Sequence, residues 1–216
     1  MVEKEVTKIH NHELSRRDEL LLRMYDQLWN SINSHLLVVW QSLGVLIGGF
    51  AILTLVEKQV ISEDIATALI ILLSGWLIAN LYDAGYWYNR NLVIIANIEK
   101  DFLVREDLRN ITYYFGKHRE SNKMITHFRI QRYFAAGVAI IVTFYHLISR
   151  VLPIAKTGII LSNANQLQIW WPYVALISML YLIWRVRADR NRRYSEILNK
   201  SPGKDLSRLP DSSNGL

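Results

Sequence analysis

The sequence predicts an all-α, polytopic membrane protein with four transmembrane helices and long helical extensions outside the bilayer. Hydrophobic residues make up 51% of the 216 residues and are gathered into long blocks, which is unusual for a soluble domain. The block between His35 and Glu57 contains 21 residues, 36–56, without a formal charge. At about 1.5 Å per residue, a helix of that length crosses a hydrocarbon core of about 30 Å.

The four spans are predicted at residues 36–56, 65–82, 133–149 and 169–184, and these ranges contain no Asp, Glu, Lys or Arg. The last two spans are short for a bilayer. Trp170, Trp171 and Pro172 suit the start of the fourth helix, because aromatic rings favour the membrane interface and Pro is compatible with the first helical turn.

The distribution of Lys and Arg predicts the side of the membrane on which each connecting segment lies. Residues 1–34, 83–132 and 185–216 hold 22 of the 25 Lys and Arg residues, so both termini and the middle segment are expected to be cytoplasmic. We attribute the net charge of +6 to the basic residues that set the orientation in the membrane and contact anionic lipids. No direct nucleic-acid partner is expected. The side chains expected to anchor the fourth span at lipid headgroups are Arg185, Arg187, Arg190, Arg192 and Arg193.

The connecting segments are predicted to be helical as well. The chain divides into an N-terminal amphipathic helix (1–34), a first transmembrane hairpin (35–82), a cytoplasmic helical region (83–132), a second hairpin (133–186) and a basic juxtamembrane segment with a disordered tail (187–216). One helix of up to about 60 Å is expected from near Asp64 to Leu103. Its apolar stripe is expected to pack on the stripe of the N-terminal helix, which begins near Ser15, or on a neighbouring subunit. In residues 104–131 we expect a short helix that ends in a turn at Gly116, followed by a second helix that enters the third span.

Small and polar residues within the spans are the candidate functional positions. Gly44 and Gly48 let two helix backbones approach closely, either at an interface or pore seam or in ordinary packing within one subunit. Ala135 and Ala139 repeat this spacing in the third span. Gln41 and Asn80 are polar groups that are costly in hydrocarbon, so each is expected to face a neighbouring helix or water.

Charged and titratable residues near the span ends give a second set of candidates. Asp83 and Arg90 are seven residues apart and lie on nearly one helix face. They could line a vestibule, form ion pairs between subunits, or belong to a charged face at the headgroup level. His146 lies near the outer end of the third span and is expected to be an interfacial, solvated imidazole.

No catalytic motif, phosphate-binding loop or metal-ligand set occurs in the sequence. The chain has no Cys, and its six His residues are scattered. We therefore expect a non-enzymatic protein without a metal or cofactor.

The stretches YWYNRNLVIIANIEKDFL (86–103) and YFGKHRESNKMITHFRIQRYF (114–134) resemble the RipA family of bacterial inner-membrane proteins, which are described as octameric. The architecture is also similar to the CRISPR-associated membrane accessory that assembles into an octameric pore. The resemblance implies a homo-octameric ring in the inner membrane that alters permeability in antiviral defence or stress. The alternative is a membrane scaffold whose cytoplasmic helical bundle recruits a soluble protein.

That accessory is linked to a ribonuclease-like motif in which Arg and His are separated by four to six residues. Seven residues separate Arg119 from His127, and eight separate Arg109 from His118. This departure argues against nuclease activity.

Overall fold

The computed structural model of the chain describes residues 16–103, 107, 126–157 and 167–200. Within these ranges the chain is helical, without a strand, and four helices are long and apolar enough to cross a membrane, as the sequence predicts. The elements are α1 (Arg16–Gly49), α2 (Ala51–Glu57), α3 (Glu63–Phe102), α4 (Thr126–His146), a π-helical turn (Leu147–Val151), α5 (Leu152–Thr157), a 3-10 turn (Gln168–Trp170) and α6 (Trp171–Lys200).

The first hairpin turns between α2 and α3. Gln59 adopts a φ of 56°, which lies in the left-handed region of backbone conformation. Residues other than glycine adopt this conformation singly, as here, where it helps to reverse the chain direction. Ser62 then caps α3, since its extended backbone lets its hydroxyl accept a hydrogen bond from the Ile65 amide at 3.3 Å. Glu63 and Asp64 in the first turn add a favourable interaction with the helix dipole. We call this end of the molecule, which also holds the π-helical turn, the turn end.

The central element of the fold is α3, against which α1, α4 and α6 each pack. In the hydrophobic 18-residue segment of α3, half of the residues are buried, compared with 11 to 17% in the corresponding segments of the other three candidate spans. It has 40 residues and a length of about 60 Å, which confirms the predicted single helix from near Asp64 to Leu103. The other three helices therefore expose most of their apolar surface, as spans surrounded by lipid would.

Two apolar clusters hold α1 on α3. The cluster within the predicted spans joins α1, α3 and α4 through Val39, Leu46, Leu77, Leu81, Ala84, Phe128 and Ala135. The second cluster lies outside the spans, in the part of α1 and α3 that we call the extension, and is built around Ile32, Leu92 and Ile95. The two amphipathic stripes thus pack on each other within one chain, which was one of the two alternatives from the sequence.

Polar contacts reinforce the extension. Arg17 donates to the Asp101 carboxylate at 2.6 Å, and the Asn91 side chain donates to the Ser31 hydroxyl at 3.1 Å. Asn91 is 2% exposed, so this amide is held in the interface between α1 and α3.

The second hairpin packs on α3 through a close helix approach. A Cβ atom at Gly75 would lie 2.6 Å from the Met179 Cγ, so only glycine lets α6 cross α3 at this distance. The long helix of the fourth span begins at Trp171, where the sequence predicts it, and is preceded by a 3-10 turn. It continues to Lys200, so the expected boundary between residues 186 and 187 falls inside a helix. The expected start at Ser15, the turn at Gly116 and the tail from 201 lie outside the described residues.

Candidate functional site

A buried polar cluster occupies the turn end, centred on the Asp64 carboxylate. The Asp64 side chain is 2% exposed, and its Oδ1 lies 2.9 Å from the His146 Nε2 and 3.2 Å from the Arg150 Nε. The Arg150 Nη2 donates to the second carboxylate oxygen at 3.3 Å. This two-nitrogen contact balances a negative charge that would be costly in an apolar interior.

Four helical segments supply this cluster. Asp64 stands in the first turn of α3, His146 ends α4, and the π-helical turn places Arg150 four residues further on the same side. The Tyr173 hydroxyl of α6 lies 3.3 Å from the His146 Nδ1. Ser149 also donates to Glu63 at 2.7 Å, so the cluster joins the two hairpins at the turn end.

The expectation of a solvated His146 is wrong, because the ring is fully buried between Asp64 and Tyr173. Sequence reasoning treated Asp64 only as the residue before the second span. The sequence contains a usable signal, since Arg150 is one of three cations on the sparsely charged side and the acids there are Glu57, Glu63 and Asp64. The described residues contain no group of three or more His, Asp or Glu side chains that could hold a metal ion.

A second polar cluster lies where the second span is predicted to end, at Tyr82. Asp83 of α3 forms an ion pair with Arg190 of α6. The Arg190 guanidinium also lies 5.1 Å from the centre of the Tyr86 ring, and the Arg132 guanidinium of α4 lies 4.6 Å from that of Tyr82. Such cation–π contacts suit arginines at a membrane edge, where one side of the group is apolar.

A cavity of about 200 Å³ lies between α3, α4 and α6, and the residues of this cluster that line it are Tyr82, Tyr86, Arg132 and Arg190. We call it the arginine chamber, because Arg129, Arg132 and Arg190 all line it. Gly85 and Asn89 of α3 also face it. Among the described residues, three arginines and no carboxylate line the chamber, so it suits an anionic group.

Gln41, Gly44 and Gly48 all lie on the exposed side of α1. A Cβ atom at either glycine would meet nothing within 4 Å. At about 100° per residue, this side is opposite the buried face formed by Val39 and Leu46. We call these three residues the outer seam. Ala135, by contrast, is fully buried in the cluster shared with α1 and α3, so the two small-residue pairs have different surroundings.

The remaining predicted positions contact neighbours within the chain. The Asn80 side chain donates to the Ser42 hydroxyl at 3.4 Å. Arg90 lies 5.3 Å from the Trp87 ring centre and donates to Asn91 at 3.4 Å. Asp83 forms its ion pair with Arg190, and no ion pair joins Asp83 to Arg90 among the described residues. Among the arginines predicted to anchor the fourth span, Arg185 donates to Tyr181, Arg187 approaches the Tyr82 ring, Arg190 pairs with Asp83, and Arg192 and Arg193 pair with Asp189.

Comparisons with known proteins do not assign the chain to a family. No family model, curated protein or solved structure matches it. Of the two stretches that resemble the RipA family, residues 86–103 form the end of α3 and residues 114–125 lie outside the described part of the chain. The resemblance therefore stays a prediction from sequence.

Proposed function

We propose that the protein is a non-enzymatic homo-oligomer of the bacterial inner membrane, in which the outer seam of each first span contacts a neighbouring copy. The observation that carries this proposal is the exposure of Gln41, Gly44 and Gly48 on one lipid-facing side. An amide in hydrocarbon is costly, and no hydrogen bond joins Gln41 to any other described residue. A second helix packed on the glycines would supply a hydrogen-bonding partner.

The oligomer is tested by adding bulk to the seam. In Gly44→Leu with Gly48→Leu, two isobutyl groups would separate the helix backbones, and we expect native mass spectrometry to show a shift towards monomers. Val38→Leu is the matched control, since Val38 is also exposed but lies about 100° around the helix from the seam. An oligomer distribution unchanged by the double substitution would contradict a contact through the seam.

We further propose that the copies form a ring with a central opening and both termini in the cytoplasm, which alters membrane permeability in defence or stress. The support is the RipA-family resemblance, including its octameric assembly, and the 22 of 25 Lys and Arg residues assigned to one side. Planar-bilayer recordings of the purified oligomer should show discrete currents. Absence of conductance across voltages and lipid compositions would remove the pore and leave the oligomer.

A membrane scaffold that recruits a soluble partner is the second candidate. Leu20 and Met24 lie one turn apart on α1, outside the predicted span, and are 59% and 39% exposed. Apolar side chains exposed to water in this way favour a partner surface. A partner that is lost on Leu20→Glu with Met24→Glu, while the oligomer persists and conducts no current, would favour the scaffold.

A further inference from the structure

We propose that the cleft between α4 and α6 binds one anionic phospholipid, with its phosphate in the arginine chamber and an acyl chain in an apolar groove that continues from the chamber. Both walls of the cleft and its floor, which is α3, belong to a single chain. The site is therefore independent of the proposed oligomer.

The charges of the chamber suit a phosphate. Arg129 and Arg132 come from α4, and Arg190 comes from α6, so arginine residues line the cavity on both walls. Asp83 balances Arg190, whereas no carboxylate of the described residues forms an ion pair with Arg129 or Arg132. Planar guanidinium groups bind phosphate oxygens through paired N–H donors, so this excess positive charge favours a phosphate monoanion or dianion.

The neighbouring groove suits a hydrocarbon chain. It encloses about 370 Å³ and is lined by Gly75 and Ile78 of α3, Ala139 and Phe144 of α4, and Leu176 and Leu180 of α6 among others. Its polar side chain, Thr143, donates its hydroxyl hydrogen to the Ala139 carbonyl at 2.7 Å. The groove thus has an apolar lining, and its small residues leave room for a hydrocarbon chain.

The two cavities follow one another along the same helices. Ile78 lines the groove and Leu81 lines the chamber, less than one helical turn apart on α3. On α4, Arg132 and Ala136 are separated by one turn. From Ala136 to Leu147 the groove follows α4 and the first residue of the π-helical turn for about 16 Å. A molecule with a phosphate at one end and a long apolar chain fits this arrangement better than a free phosphate, which would leave the groove unfilled.

The groove opens towards the surface that lipid would occupy. Ile140, Phe144 and Leu180 line it and are 67%, 61% and 58% exposed. Its chamber end lies at Tyr82 and Tyr86, the aromatic residues with which the second span is predicted to end. A bilayer lipid could therefore enter sideways while its headgroup stays at the membrane edge.

The test is native mass spectrometry of the full chain in detergent with added phosphatidylglycerol, phosphatidylcholine of the same chains, or inorganic phosphate. We expect one phosphatidylglycerol per chain, weaker retention of phosphatidylcholine, and no phosphate binding at concentrations that saturate the lipid site. Arg129→Gln with Arg132→Gln should weaken phosphatidylglycerol binding about tenfold or more, because each basic group at a lipid surface contributes about a fivefold change. Arg16→Gln with Arg23→Gln removes the same charge from α1 and should leave the affinity unchanged.

The groove is tested separately. Ala139→Leu fills it and should lower phosphatidylglycerol retention, whereas Gly137→Leu adds bulk on the same helix where a Cβ would meet nothing within 4 Å. Equal retention by Ala139→Leu and Gly137→Leu would overturn the site, even if the double arginine variant failed to fold. Equal retention of both lipids, phosphate binding without lipid, or loss of bound lipid on oligomer formation would overturn it as well.

Discussion

Asp64 keeps a buried carboxylate at the turn end because His146 and Arg150 surround it with donors. Such a group is stabilising only while its partners stay in place. We predict that Asp64→Ala lowers the free energy of unfolding by about 2–4 kcal/mol, since it leaves the buried Nε2 of His146 without its hydrogen-bonding partner and removes the carboxylate paired with Arg150. Thermal unfolding in detergent measures the effect.

Glu63→Gln is the control for this substitution. Glu63 is half-buried and accepts a hydrogen bond from Ser149, which an amide oxygen can also accept. We expect a change of less than about 1 kcal/mol for this variant. Equal melting temperatures for Asp64→Ala and the unchanged chain would show that the cluster contributes nothing to stability.

At the scale of elements, the crossing of α6 over α3 depends on Gly75. A methyl group there would lie 2.6 Å from Met179 side-chain atoms and 2.7 Å from the Met179 Cβ, so the helix itself must shift. We predict that Gly75→Ala destabilises the protein by about 1–3 kcal/mol, as overpacking does, measured by thermal or denaturant unfolding in detergent.

The double variant Gly75→Ala with Met179→Ala should recover part of this loss, because the smaller side chain makes room for the methyl group. Gly137→Ala is the matched control, since a Cβ there meets nothing within 4 Å and alanine favours the helix. A loss of stability for Gly137→Ala as large as that for Gly75→Ala would contradict a specific role of Gly75 in the crossing of α6 over α3.

At the scale of the whole molecule, the absence of cysteine makes the predicted topology directly testable. Val60, at the turn end, is 66% exposed, and Glu196, in the continuation of α6, is exposed as well. With both termini in the cytoplasm, a membrane-impermeant thiol reagent should label Val60→Cys in intact spheroplasts. Glu196→Cys should react only after lysis, and the reverse pattern would invert the topology.

The helices could be predicted from sequence, but most of the contacts between them could not. The uncharged block 65–82 and the apolar stripe after it predict α3 to within one residue at each end, and the aromatic residues of the fourth block predict a helix start at Trp171, because hydrophobicity and periodicity are local properties. The Asp64–His146 contact joins residues 82 positions apart, and periodicity within a helix does not say which other helix it faces. The same limit applies to small residues: Gly44 and Ala135 carry the same spacing signal, yet one is exposed and the other buried.

The two walls of the cleft between α4 and α6 are held on α3 by different kinds of contact. Met179 at Gly75 and Arg190 at Asp83 hold α6 at two levels, about 12 Å apart along α3. Near Asp64, about 16 Å from Gly75 in the other direction, Tyr173 contacts His146 at the end of α4. The other wall, α4, is held by polar contacts through His146 at the turn end and by apolar packing around Phe128 and Ala135 at the far end. Packed helices can slide past one another by small shear motions. We therefore expect α4 to pivot about His146, so that the width of the cleft varies most where the arginines are.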